Sequence, residues 1–148
     1  MATAAVVVSP CRVADIRARP DLLDANSNEV EGVSAAPDWD RYVDLEAAGV
    51  LQCLGVFQGQ QMLAYSVCVV GHGLNHERRK SAKCLAIYAS PAARLLGLGL
   101  MLMAESEREA RSNGACEFFW TATPGSRMAT ILDRRKYAVA ETVYRKEL

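Results

Sequence analysis

The chain has 148 residues, 51% hydrophobic and 23% charged, which is enough for one sizeable core, and a single domain over residues 1–148 is the expectation. Seventeen basic residues balance seventeen acidic ones at a pI near 6.7, which argues against a protein that works mainly by coating nucleic acid or an anionic membrane. The longest apolar run, residues 95–104, spans ten residues and includes two glycines, short of the roughly 20 that a bilayer span needs.

The opening MATAAVVVSP has no basic residue before its short apolar patch, so no secretory leader is expected, and a soluble cytoplasmic protein is. Val6 to Val8 read as a first strand stopped by Pro10, followed by a helical stretch over 15–23 that Pro20 interrupts. Asp38 is placed to cap a helix through Tyr42, Leu45 and Ala48, with Gly49 as its terminator. Two apolar, β-branched runs, 51–57 and 62–70, flank Gln58, Gly59, Gln60 and Gln61 and predict a hairpin. Residues 71–83, GHGLNHERRKSAK, lack apolar periodicity and predict a solvated loop. His72 and His76 stand four apart, but Gly73 and Asn75 argue against a helix there, and no metal site is expected.

Residues 84–89 form an apolar run without alternation, as in a central strand covered on both faces. A helix over 95–112 follows, ended by Asn113 and Gly114, and then a second apolar strand over 116–121. Strand, helix and strand with such short joints form a right-handed crossover between parallel strands. Ser126 is a candidate cap for a helix to about Arg135, and the alternation of Val139, Glu141, Val143 and Arg145 predicts a closing strand over 137–148. Cys11, Cys53, Cys68, Cys84 and Cys116 are odd in number and form no CxxC pair, so they read as reduced, mostly core residues.

Chemistry concentrates in SPAARLLGLGL, where Arg94, Gly97 and Gly99 give the spacing RxxGxG at the start of a helix. First-turn amides have no helical acceptor, the helix dipole favours anions, and glycines let the backbone approach a phosphate. The alternative is that both glycines serve close packing of the helix on the sheet. A dinucleotide-binding loop would need a third glycine near Leu102 and its first glycine directly after the strand, and a P-loop would need a lysine; none of these is present.

These residues resemble the GNAT superfamily of acyl-CoA-dependent N-acetyltransferases, whose strand, Pro-x-x-Arg turn and (Arg/Gln)xxGx(Gly/Ala) helix start are matched by Pro91, Arg94, Gly97 and Gly99. The element order is similar over essentially the whole chain. The resemblance implies an α/β fold: a mixed, mostly antiparallel sheet, helices on both faces, and a parallel pair splayed between 84–89 and 116–121. It further implies acetyl-CoA as co-substrate, with no metal. The pyrophosphate would rest on Leu95, Leu96, Gly97, Leu98, Gly99 and Leu100, the pantetheine along Ile87, Tyr88 and Ala89, with Arg94 and Ser126 also at the cofactor. An amine would attack the acetyl carbonyl directly.

The chain departs from the family after the second parallel strand. Ser126 and Ala129 stand at the family's Asn and Ala, the usual tyrosine position is Asp133 or Leu132, and Lys136-Tyr137 replaces a Gly-Phe pair. Tyr137 and Tyr88 are the candidate catalytic hydroxyls, with side-chain packing as the alternative for each. Between Ala14 and Val50, nine acidic residues face three arginines, so a cationic amine acceptor is favoured, and Asp40, Asp44 and Glu46 are candidate bases through water.

The segments PGSRMATILDRRKY and TVYRKEL are also similar to GNAT-like proteins of bacteriophages. That likeness implies a viral source and leaves open a structural or inhibitory role with virion proteins as partners, in the virion or the host cytoplasm. A homodimer is likewise open. Nucleic-acid binding rests only on Arg78, Arg79, Lys80 and Lys83 without interleaved aromatics, and is not expected.

Overall fold

A computed structural model of the chain describes residues 2–148. Five strands, β1 (Val6–Pro10), β2 (Leu51–Gln58), β3 (Gln61–Gly73), β4 (His76–Ala89) and β5 (Glu117–Phe119), form one sheet in the order β1-β2-β3-β4-β5. Each neighbouring pair is antiparallel except β4 and β5, which are parallel. The fold is therefore α/β with a mixed, mostly antiparallel sheet, as the family resemblance implies.

Three helices cover one face: α1 (Val13–Arg17), α2 (Pro20–Glu31) and α3 (Trp39–Ala47). Pro20, which has no amide proton to lose, opens α2 and so splits the single stretch predicted over 15–23 into two helices. Asp38 caps α3 as predicted, its Oδ1 accepting from the Arg41 amide at 3.1 Å. Val13, Ile16 and Leu22 pack on Cys53, Tyr65, Val67 and Tyr88.

The opposite face carries α4 (Pro91–Leu95) and α5 (Leu98–Ser112). Leu98, Leu102, Ser106 and Ala110, spaced by four, are all buried and form a stripe along α5. Leu98 and Leu102 meet Leu54, Val56, Ala64 and Ala89, and Ala110 meets Val70 and Ala82. Ser106 does not interrupt the stripe, because its hydroxyl donates to Leu102 O at 2.8 Å and pairs with Ser66 Oγ at 2.9 Å. The final helix, α6 (Arg127–Arg134), is capped by Ser126, whose Oγ accepts from the Ala129 amide at 3.2 Å.

Four predicted elements are corrected. Residues 71–83 are strand, not loop: β3 and β4 continue as a paired arm around Leu74 and Asn75. Helices cover neither face of its tip, so no apolar alternation marks it in the sequence. The helix predicted over 95–112 begins at Leu98, because Gly97 at φ 72° separates it from α4. The second parallel strand is only Glu117–Phe119. The closing strand over 137–148 does not form: Val139 and Val143 are 83% and 78% exposed, and among the described residues no strand pairs with that segment.

All five cysteines are free, with Cys53, Cys68 and Cys84 buried and Cys116 exposed. Burial pushes the Cys11 and Cys53 thiols up to about 12, which keeps them unreactive at neutral pH. Among the described residues no helix is long and apolar enough to cross a membrane, and no cluster of three or more His, Cys, Asp or Glu is arranged for a metal.

After α6 the chain turns through Lys136 at φ 60°, a left-handed conformation that favours glycine. The Tyr137 amide donates to Leu132 O and the Lys136 amide to Asp133 O, the paired bonds of a Schellman cap. Lys136→Gly is expected to raise stability by about 0.5–1 kcal/mol, read as an increased denaturant midpoint at unchanged slope.

Candidate active site

The parallel ladder is short. Ser81, Ala82 and Lys83 of β4 pair with Glu117, Phe118 and Phe119, after which the two strands part. β4 continues to Ala89 with β3 on one edge and, among the described residues, no strand on the other. Within that stretch Val67 pairs with Ala86 and Cys68 with Cys84, leaving Leu85 as a bulged residue. The extra residue shifts the phase of the strand: Ala82 meets the α5 face before it, and Ile87 and Ala89 meet that face after it.

At the open end of the gap, β4 runs directly into the glycine segment. The Ser90 hydroxyl accepts from the Ala93 amide at 3.3 Å, and Pro91 occupies the first helical position of α4. The chain then reverses through Gly97, whose conformation a β-carbon would strain. The Met101 amide donates to Gly97 O at 3.1 Å, so Leu98, Gly99 and Leu100 lie ahead of the bond that closes the first turn of α5, and no side chain caps them. A β-carbon on Gly97 would meet nothing within 4 Å, so the space before these amides is open; one on Gly99 would stand 3.5 Å from Ala89 Cβ, so that glycine lets the helix sit close on the strand end. Open space, first-turn amides and the positive end of a four-turn helix suit an anion such as a diphosphate.

Arg94 braces this segment. Its Nε donates to Ala89 O at 2.8 Å, its Nη2 meets Glu29 of α2 at 2.6 Å, and its guanidinium lies 5.2 Å from the centre of the Tyr88 ring. Leu95 and Leu96 are 88% and 71% exposed on the turn, and Leu98 is buried. Ser126 is occupied as the cap of α6.

The two candidate hydroxyls lie on opposite faces. Tyr88 is 7% exposed and packs in the cluster under α1 and α2. Tyr137 is on the α5 side, where its hydroxyl donates to Glu107 Oε1, an oxygen that also accepts from Trp120 Nε1 at 2.8 Å. Partial burial, and then the Glu107 carboxylate, push the Tyr137 phenol up to about 12. Sequence reading did not single out Glu107, because it is one of several charges in the outer half of α5 and its partners come from distant positions.

The acids of the first third are largely engaged in structure. Asp15 accepts from the Arg12 amide, Glu46 from the Val13 amide and Asp24 from the Ala35 amide, while Asp21 pairs with Arg19 and Glu29 with Arg94. Between α1, α3 and the sheet, Trp39, Tyr42 and Tyr65 line a cavity of about 30 Å³, room for a water or two rather than an organic substrate. In the basic arm, Arg79 pairs with Glu117 and Lys83 with Glu141.

The model of the acetyltransferase (GNAT) family matches residues 19–131, which include the splayed strand and the glycine turn. The chain belongs to the GNAT family. No curated protein sequence matches it significantly. Solved structures superpose over nearly its full length. A ribosomal-protein-alanine N-acetyltransferase from Brucella melitensis biovar Abortus 2308 has a TM-score of 0.74 at 14% identity, covering 97% of this chain and 99% of that one. An aminoglycoside acetyltransferase from an uncultured soil metagenomic sample, in complex with sisomicin, gives 0.73 at 14% identity, covering 97% and 95%. A transcriptional regulator from Bacillus halodurans C-125 gives 0.77 at 13% identity, covering 97% and 100%. At such identities these likenesses establish the GNAT fold.

The state of Tyr137 is measurable. The ultraviolet difference titration between the wild type and Tyr137→Phe is expected to show a phenol ionising near 12, moving toward 10 in Glu107→Gln. Because the unfolded phenol ionises at about 10, the same shift makes the folded state lose stability as pH rises from about 10 toward 12.

Proposed function

We propose that this chain transfers an acetyl group from acetyl-CoA to a primary amine. The observation that carries the reading is the open turn of Gly97, Leu98, Gly99 and Leu100 at the mouth of a gap in which β4 has one edge without a strand partner. The first-turn amides of α5 would hold the pyrophosphate, and the outward main chain of Ile87 and Ala89 would bond the pantetheine as a further strand, since that of Tyr88 pairs with Tyr65 of β3. Ala89 contributes its amide side only, since Arg94 already occupies its carbonyl. The co-substrate, when bound, supplies an activated acyl carbonyl.

The chain's own task is then to hold the amine against that carbonyl and to remove its proton, and orientation contributes much of the acceleration in such a reaction. Of the acids weighed as bases, Glu46 is engaged with the Val13 amide, whereas among the described residues Asp40 and Asp44 on α3 make no hydrogen bond through their side chains. They support an acceptor that arrives as a cation.

Calorimetry with acetyl-CoA tests the reading. The wild type is expected to bind, and Gly97→Val and Gly99→Leu, in preparations that still unfold cooperatively, are expected to lose at least 100-fold in affinity, about 2.7 kcal/mol. Bound acetyl-CoA should yield free thiol when primary amines are added. A folded wild type without affinity for acetyl-CoA would overturn the proposal.

A further inference from the structure

Glu107 joins three separate parts of the chain. It projects from α5, and its Oε1 receives the indole proton of Trp120 and the hydroxyl proton of Tyr137. Trp120 follows the last paired residue of β5, and its ring lies 4.5 Å from that of Phe118, centre to centre, so the indole stands on the α5 face where the parallel ladder stops. Four residues after Tyr137, Glu141 approaches Lys83, the last residue of β4 paired with β5, at 3.7 Å. The segment from Tyr137 to Glu141 therefore lies at the closed end of the splay. From the glycine turn at Leu98 to Glu107 the helix rises roughly 13–14 Å at 1.5 Å per residue, a distance comparable with an extended pantetheine arm.

The direction of the hydrogen bonds decides what this group can do. Tyr137 spends its proton on Glu107, so toward the gap its oxygen offers lone pairs rather than a proton. Glu107 already orders the phenol and the indole, and is half-buried beside the stripe that fixes α5 to the sheet. The charged neighbours are few. Arg135, at the end of α6, favours the anionic phenol slightly; on α5 itself Arg108 is paired with Glu105, and on β5 Glu117 is paired with Arg79.

We propose that Tyr137 and Glu107 form a proton relay that serves as the general base for acetyl transfer, an assignment that rests on the transfer reading above. Once the ammonium has released one proton to solvent, the neutral amine nitrogen bonds to the acetyl carbon, and its N–H bond breaks toward Tyr137 Oη while the Tyr137 O–H bond breaks toward Glu107 Oε1. The phenol is regenerated, and Glu107 holds the proton as a neutral acid. As the carbon–sulfur bond breaks, Glu107 returns the proton through the same phenol to the departing sulfur, and both side chains end as they began. The relay never requires a free tyrosinate, which burial and the carboxylate oppose. Tyr137 is the group that touches substrate, and Glu107 acts through it.

The experiment is a pH–rate series with acetyl-CoA and a panel of amines: benzylamine, lysine, a peptide beginning with alanine, and sisomicin. Glu107→Gln keeps an oxygen that can accept from Tyr137 and Trp120 but cannot take a proton. It is expected to lower kcat by about 10²–10⁴-fold with KM for acetyl-CoA unchanged. Tyr137→Phe should lose as much, the double variant no more than either, and Glu107→Asp should recover part of the rate. Full activity in Glu107→Gln, multiplicative losses in the double variant, or a raised KM at constant kcat would each overturn the relay while leaving acetyl transfer intact. A wild type that binds acetyl-CoA yet acetylates none of the four amines would overturn both readings, and calorimetric binding separates that case from loss of the cofactor site.

Discussion

The burial of one stripe on α5 sets the rest of the molecule. Leu98, Leu102, Ser106 and Ala110 press the helix onto the sheet along its length, and the crossover from β4 through α5 to β5 then determines where the parallel partner begins. Because the helix is rigid, the glycine turn and Glu107 are referenced to the same plane. The glycine turn opens at its N-terminus, and Glu107 stands about two and a half turns along beside Trp120. Ser106, the polar member of the stripe, fixes the helix further through Ser66 and through the Gln52 amide, which donates to Ser106 O at 2.9 Å. A shift of α5 by one turn would displace the first-turn amides and Glu107 together.

The gap itself follows from the shortness of β5. Once Phe119 has paired with Lys83, the chain leaves the sheet toward Pro124 and Gly125, and β4 keeps backbone groups along one edge without a strand partner. Unpaired backbone of this kind is avoided in sheet interiors, where water cannot reach it, and here the edge faces an opening instead. Arg94 closes the top of the opening. By bonding the Ala89 carbonyl and Glu29 at once, it ties the turn that carries the glycines to α2 on the other side of the sheet. The two faces are thus joined at the point where the strand ends, through an arginine that the sequence motif alone assigned to the ligand.

Much of this was legible in the sequence because it rests on local rules. A capping aspartate, a proline at a helix start, apolar runs around a polar turn and glycines at a helix entry each act within a few residues, and Asp38, the β2–β3 hairpin and Gly97 appear where they were read. The misread segments depend on neighbours. The tip of the arm over 72–79 pairs without burying a face, so it leaves no hydrophobic period, and residues 137–148 have the period without a strand to pair with. The acidic first third shows the same limit: composition gives its charge, but only the fold shows that Asp15, Asp24, Glu29 and Glu46 are spent on amides and on Arg94. Glu107 carried no signal because its role is created by Trp120 and Tyr137 arriving from elsewhere.

Lys136 shows how the second half of the site is held. A glycine at that position would enter the left-handed region at no cost, and the family's usual pair begins with one; this chain places a lysine there and accepts the strain. The Schellman bonds to Leu132 and Asp133 hold the turn in one conformation, and the residue leaving it is Tyr137. Its phenol is then captured by Glu107 in a different element, so the direction of the tyrosine is fixed from both ends. The family's tyrosine position, inside the helix that precedes this turn, holds Leu132 or Asp133 here. A phenol supplied from the turn and tethered to a carboxylate presents its oxygen as an acceptor, and that hydrogen-bond direction lets the pair take a proton from the amine before it returns one to the sulfur.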